Sequence, residues 1–138
     1  MKYFTIKELC KTSTGLPNVP NREQEANLVF LIENVLDPVR KELGQPIIVT
    51  SGFRSEAVNK AVGGVKNSAH KNGQAADIRC KYRKDNKKLF DLIIAMMQQG
   101  KIECDQVIYE KGDKTAPAWI HVSFKMLGTN RKQVLYLR

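Results

Sequence analysis

The run WIHVSF, residues 119–124, alternates apolar and polar side chains, and that alternation dictates how it can fold. Successive side chains of a strand point to opposite faces. Ile120, Val122 and Phe124 therefore belong to a buried face, and Trp119, His121 and Ser123 to the other. Four more short runs read as strands: QPIIVTSG (45–52), AADIRC (75–80), DQVIYE (105–110) and QVLYLR (133–138). DQVIYE and WIHVSF are joined by KGDKTAPA and are expected to form a hairpin. Helical patterns fill the intervals. Leu28, Leu31, Ile32, Val35, Leu36, Val39 and Leu43 recur at helical spacing and predict a helix over 22–43, closed by Gly44. Pro38 predicts a kink or break near Asp37. Leu89, Leu92, Ile93, Met96 and Met97 predict an amphipathic helix over 85–99, ended by Gly100. Thr5 and Glu8 form a T-x-x-E capping box for a short first helix, and Ser55 is the expected N-cap of another. With no repeat and no linker, residues 1–138 read as a single α+β domain, a mainly antiparallel sheet flanked by helices.

Composition removes several function classes. An apolar share of 42% and a charged share of 27% are those of a water-soluble globular protein. No apolar run approaches the roughly 20 residues of a membrane-spanning helix. MKYFTIKELCK lacks the apolar core and small-residue cleavage site of a secretory signal, so the chain is expected to be made in the cytoplasm and to leave by another route. Cys10, Cys80 and Cys104 are odd in number and contain no C-x-x-C pair, which argues for free buried thiols. A net charge of +9 points to an acidic partner, either nucleic acid or a polyanionic bacterial wall. KYRKDNKK (81–88) is the densest basic stretch. With Tyr82 as its only aromatic residue it reads as a solvated helix start, not as a specific nucleic-acid platform.

The chain has only two histidines, His70 in SAHKNGQAADI and His121 in WIHVSF, with Asp77 between them in sequence. On a strand, Asp77 would share a face with Ala75 while Ile78 faces the core. His70, Asp77 and His121 together would supply the two nitrogens and one oxygen of a catalytic zinc site that keeps a position open. The spacing H-x6-D with a distant histidine is loose, however. Taken alone it also suits a loop histidine and an exposed strand histidine.

The pattern is wider than those three residues. SGFRS (51–55), Asn59, VGG (62–64), SAHKNGQAAD (68–77) and WIHV (119–122) occur in this order. Together they resemble the M15 family of zinc D-alanyl-D-alanine carboxypeptidases and peptidoglycan endopeptidases, in particular its small phage and bacterial members. The hedgehog signalling domain is a structural relative of that fold. The resemblance implies that His70, Asp77 and His121 are the zinc ligands, that Arg54 is a substrate-side arginine and that Ser68 lines the same pocket. Zinc held by two neutral imidazoles and one carboxylate would lower the pKa of bound water towards about 7 and polarise a scissile carbonyl. Arg54 would stabilise the oxyanion or hold a substrate carboxylate.

The general base is where the chain departs from the family. Many M15 enzymes carry Glu-x-x-His there, and the position three residues before His121 is Ala118. Glu110, at the end of DQVIYE, is the expected substitute, with Asp113 second and Asp105 third. Gln106, Ile108 and Glu110 would share one face of that strand. The resemblance thus implies a zinc peptidase acting on the peptidoglycan stem; a monomer is expected, without specific nucleic-acid binding or membrane insertion. A phage lysis enzyme released by a membrane-permeabilising partner fits the missing signal. The rival expectation is a non-catalytic zinc-containing cell-wall binding module.

Overall fold

A computed structural model describes residues 1–137. Its centre is a five-stranded sheet in the order β1-β2-β4-β3-β5, formed by β1 (Ile48–Ser51), β2 (Ala75–Arg79), β3 (Gln106–Glu110), β4 (Trp119–Ser123) and β5 (Gln133–Leu137). The β1–β2, β2–β4 and β3–β4 pairs are antiparallel, and only β5 runs parallel to its neighbour β3. The expected hairpin is present: Glu110 pairs with Trp119 at its mouth, and the amide of Ala118 donates to the Glu110 carbonyl.

One face of the sheet is apolar and covered by helices. Ala76 and Ile78 of β2, Val107 and Tyr109 of β3, and Ile120 and Val122 of β4 are buried in the main hydrophobic cluster. Leu28, Leu31, Ile32, Val35, Leu36 and Val39 close over them from one helical run, and Leu89, Phe90, Ile93 and Met96 from α5 (Asn86–Gln98). Each fully buried Leu or Ile contributes about 1.5–3 kcal/mol, so this face holds the fold together. The opposite face is left for chemistry.

The helical run is distorted just before Pro38, where a kink or break was expected. No break occurs. Instead α2 (Arg22–Leu31) passes through a wide π-turn at Ile32–Leu36 into α3 (Asp37–Leu43), with the Asp37 amide donating to the Ile32 carbonyl. Proline cannot bond back to Asn34 and its ring would strike that carbonyl; a wider turn just before it relieves both problems. Gly44 closes α3 in the left-handed conformation, as expected. The second predicted helix starts later than its sequence pattern suggests, because Arg83–Asp85 form a 3-10 turn before α5 begins at Asn86. The first strand is shorter than QPIIVTSG, spanning only Ile48–Ser51.

Caps follow the sequence closely. The Thr5 hydroxyl accepts from the Glu8 amide to start α1 (Ile6–Leu9), which is half of the expected box. The Ser55 hydroxyl accepts from the Val58 amide to start α4 (Glu56–Ala61). Cys10, Cys80 and Cys104 are free, Cys80 and Cys104 being buried. Burial pushes the Cys104 thiol up to about 12. The KYRKDNKK stretch is mostly exposed, as a solvated helix start should be, save for Asn86, which is buried.

Candidate metal centre

Strand register builds the site. Across the polar face, Ser51, Asp77, His121 and Ile108 stand directly opposite one another on β1, β2, β4 and β3. Directly opposed side chains on one face of a sheet are close neighbours, so this register alone brings Asp77 beside His121. His70 arrives from outside the sheet. It sits on a 3-10 turn, Ala69–Asn72, that opens beneath the Ser68 hydroxyl and ends at Gly73 in the left-handed conformation, just before β2. The Nδ1 of His70 lies 2.8 Å from the carbonyl oxygen of Gly52. A carbonyl only accepts, so Nδ1 carries the proton and Nε2 is left with a lone pair.

That nitrogen meets its partners. Asp77 Oδ1 lies 3.3 Å from His70 Nε2 and 3.1 Å from His121 Nδ1. The two imidazole rings meet edge to face at 5.1 Å. One potential ligand atom from each of the three residues lies within 4.8 Å of the others; His70 and Asp77 are buried, and the His121 side chain is 12% exposed. Burial alone would raise the Asp77 pKa, but the adjoining His121 and His70 imidazoles, in their protonated forms, outweigh it and hold the carboxyl well below the usual range. Two imidazoles and an ionised carboxylate, converging from three elements, are a donor set that fits a divalent ion such as zinc.

Around this centre lies a cleft of about 630 Å³. Arg54 is on its wall and is pinned on three sides: Nε to Ser51 Oγ at 2.9 Å, Nη2 to Asp77 Oδ2 at 3.3 Å, and Nη1 to Asn59 Oδ1 at 3.4 Å. The last two contacts are long, so a closer anion in the cleft can compete for those N–H groups. Ser68 also lines the cleft, and its hydroxyl caps the His70 turn by accepting from the His70 amide.

The three candidate carboxylates separate clearly. Glu110 lines the cleft on the same face of β3 as Ile108, diagonally across from His121. It accepts a hydrogen bond from Trp119 Nε1 at 3.0 Å and has no cation partner among the described residues. Asp113 is absent from the cleft wall. It accepts from the Thr115 hydroxyl and from the amides of Thr115 and Ala116, and pairs with Arg83 at 3.2 Å. Asp105 does line the cleft, but Arg131 holds it through Nε, Nη2 and the backbone amide. Those bonds hold its pKa down to about 2, too acidic for a base that must take up a proton near neutrality.

The roles of several residues in this site were not readable from the sequence, although Gly52 and Asn59 belong to its ordered motifs. The Gly52 carbonyl orients His70, and backbone acceptors have no signature in residue type. Asn59 ties the glycine-rich loop to Arg54: its Oδ1 faces the guanidinium and its Nδ2 donates to the Val65 carbonyl. Trp119 holds Glu110; its place on the His121 face was readable, although its partner was not.

A largely buried group of two histidines and an aspartate, set in an open cleft on the polar face of a sheet, is the kind of donor set that a metallohydrolase uses. The family model for Peptidase M15 matches residues 2–123, and the chain belongs to that family of metallopeptidases. Among curated proteins none matches the chain. No helix among the described residues is long and apolar enough to cross a membrane.

Proposed function

We propose that the protein is a zinc-dependent peptidase that hydrolyses a peptide bond of the peptidoglycan stem. The observation that carries this reading is the convergence of His70, Asp77 and His121 beside Glu110, a cleft carboxylate with no cation partner among the described residues. A zinc ion held by His70 Nε2, Asp77 and His121 Nδ1 would supply Lewis acidity to a scissile carbonyl and to the water that attacks it.

The chain's own residues do the rest. Glu110 takes the proton from the attacking water and returns it to the departing amine, while the Trp119 indole fixes the carboxylate that carries it. Asp77 keeps Oδ1 turned to the two imidazoles because Arg54 occupies Oδ2. The weakly held N–H groups of Arg54 face charge that develops on the substrate. A net charge of +9 draws the protein to an acidic wall.

The test is mass analysis of peptidoglycan digested with the wild type and with Glu110→Gln. New stem-peptide termini with the wild type, reduced at least 100-fold in the variant while bound metal is retained, are the expected result. Cleavage that survives Glu110→Gln but is lost in Asp113→Ala would overturn the base assignment. Bound metal with no cleavage of any stem peptide would make the protein a wall-binding module instead.

A further inference from the structure

The far end of the cleft carries charge that the hydrolytic centre does not use. Asp105 lies just before β3, Arg131 just before β5, and Lys125 just after β4. Since β3 and β5 run parallel and β4 antiparallel to β3, the three residues meet at one end of the sheet, and all three line the cleft. Glu110 stands at the opposite end of β3.

The charges there are unequally exposed. The Asp105 side chain is only 5% exposed, whereas Arg131 and Lys125 are 53% and 41% exposed. Arg131 covers both carboxylate oxygens through Nε at 3.0 Å and Nη2 at 2.8 Å, and among the described residues its Nη1 has no partner. Lys125 Nζ is the second cation on the same carboxylate, at 3.6 Å, and makes no other ion pair among the described residues. Joining β5 to the sheet needs neither side chain. The Lys132 amide already donates to the Cys104 carbonyl and the Gln133 amide to the Asp105 carbonyl. Lys125 is held in place: the Asn130 side chain accepts from its amide and donates to its carbonyl. Two cations against one buried anion leave a net positive, solvent-facing group on the cleft wall.

We infer that Arg131 and Lys125 form a subsite for a carboxylate of the peptide bound in the cleft. The inference rests on the peptidase reading above and adds a selectivity to it. Asp105 pre-orients the guanidinium, so little side-chain freedom is lost when an anion docks on its open edge. Asp105 lies three residues along the chain from Ile108, which faces His121, or roughly 10 Å at strand spacing. An extended peptide covers that distance in about three residues, so the carboxylate belongs two or three residues from the bond being cut. In a peptidoglycan stem both the internal D-glutamyl carboxylate and the C-terminal carboxylate have this chemistry.

Isothermal titration of the zinc-loaded protein with three stem pentapeptides tests the subsite: unmodified, amidated at the D-glutamyl carboxylate, and amidated at the C-terminus. Arg131→Gln is expected to weaken the unmodified peptide about 10-fold and Lys125→Gln about 3-fold. One of the two amides should bind the wild type with the same loss and be indifferent to both substitutions, which identifies the carboxylate. Because Arg131 also clasps Asp105, Lys125, which approaches that carboxylate only at 3.6 Å, supplies a variant that leaves the clasp intact. Wild-type affinity in both variants, equal binding of all three peptides, equal losses on all three, or no binding of any stem peptide overturns the subsite. A peptide that binds with this pattern yet is never cut leaves the subsite standing and sinks the peptidase reading.

Discussion

Gly52→Ala probes the link between backbone packing and the metal centre. A Cβ at position 52 would stand 2.2 Å from the Leu9 carbonyl oxygen and 2.9 Å from both its carbon and the Leu9 Cδ1, where ordinary contact begins at 3.4 Å. The obstacle is backbone, so the two segments must part by about 1 Å, at an overpacking cost of about 1–3 kcal/mol. The same movement strains two hydrogen bonds, Phe53 amide to Leu9 carbonyl at 2.7 Å and His70 Nδ1 to Gly52 carbonyl at 2.8 Å. A 1 Å shift carries such bonds past their working range, and each is worth about 1 kcal/mol. The total is about 3–5 kcal/mol, which a domain in the middle of the ordinary stability range survives. With His70 no longer oriented, zinc affinity should fall about 10- to 100-fold. Gly44→Ala is the control. Its φ is 72° and nothing stands within 4 Å, so it should cost about 1 kcal/mol through backbone strain alone and leave zinc affinity unchanged. Urea unfolding and competition for zinc against a chelating dye read the two effects separately. If Gly52→Ala is destabilised yet binds zinc as tightly as the wild type, the Gly52 carbonyl does not set the orientation of His70.

Three other outcomes follow from the same structure. Asn86 is fully buried, its Oδ1 accepting from the Cys80 amide at 2.7 Å and its Nδ2 donating to the Pro117 and Ala118 carbonyls at 3.0 and 3.1 Å. Asn86→Ala should therefore cost about 3–5 kcal/mol in urea unfolding, and a loss under 1 kcal/mol would contradict its role as a clasp. The Asp105 carboxyl is held down to about 2 from an ordinary 3.8, chiefly by the Arg131 hydrogen bond. A depressed carboxylate stabilises the fold above its unfolded pKa and loses that contribution as pH falls through its folded one. Between pH 4 and 2 the wild type should thus shed about 1–2 kcal/mol more than Asp105→Asn does, a value reduced because Arg131 is half exposed. Native-state labelling at pH 8 should reach half-buried Cys10 first and Cys104 only on unfolding; equal rates would mean that Cys104 is not sealed in the core.

What the sequence makes readable is what side-chain type and period encode. Alternation in WIHVSF assigned Ile120 and Val122 to the core and His121 to the other face, and register then brought Asp77 opposite His121. The ordered motifs from SGFRS to WIHV named the M15 family. The features that escaped are made by backbone or by contacts between distant segments. A glycine carbonyl orienting His70 has no residue signature. The π-turn before Pro38 is a tertiary compromise, because Leu31, Ile32, Val35 and Leu36 are buried on both sides of the distortion and a break would expose them. The parallel pairing of β5 depends on how the loop after β4 returns, which the periodicity of QVLYLR does not encode. Asp105, Arg131 and Lys125 meet only because three strand ends coincide.

Hydrolysis in this cleft depends on His70, Asp77 and His121 holding a metal ion. The most direct measurement is metal content by mass spectrometry after zinc loading and desalting, on the wild type, His121→Ala and Glu110→Gln. One zinc ion per chain is expected in the wild type and in Glu110→Gln, and none in His121→Ala. A wild type without bound zinc, or His121→Ala that keeps it, would show that these three residues are not the metal site.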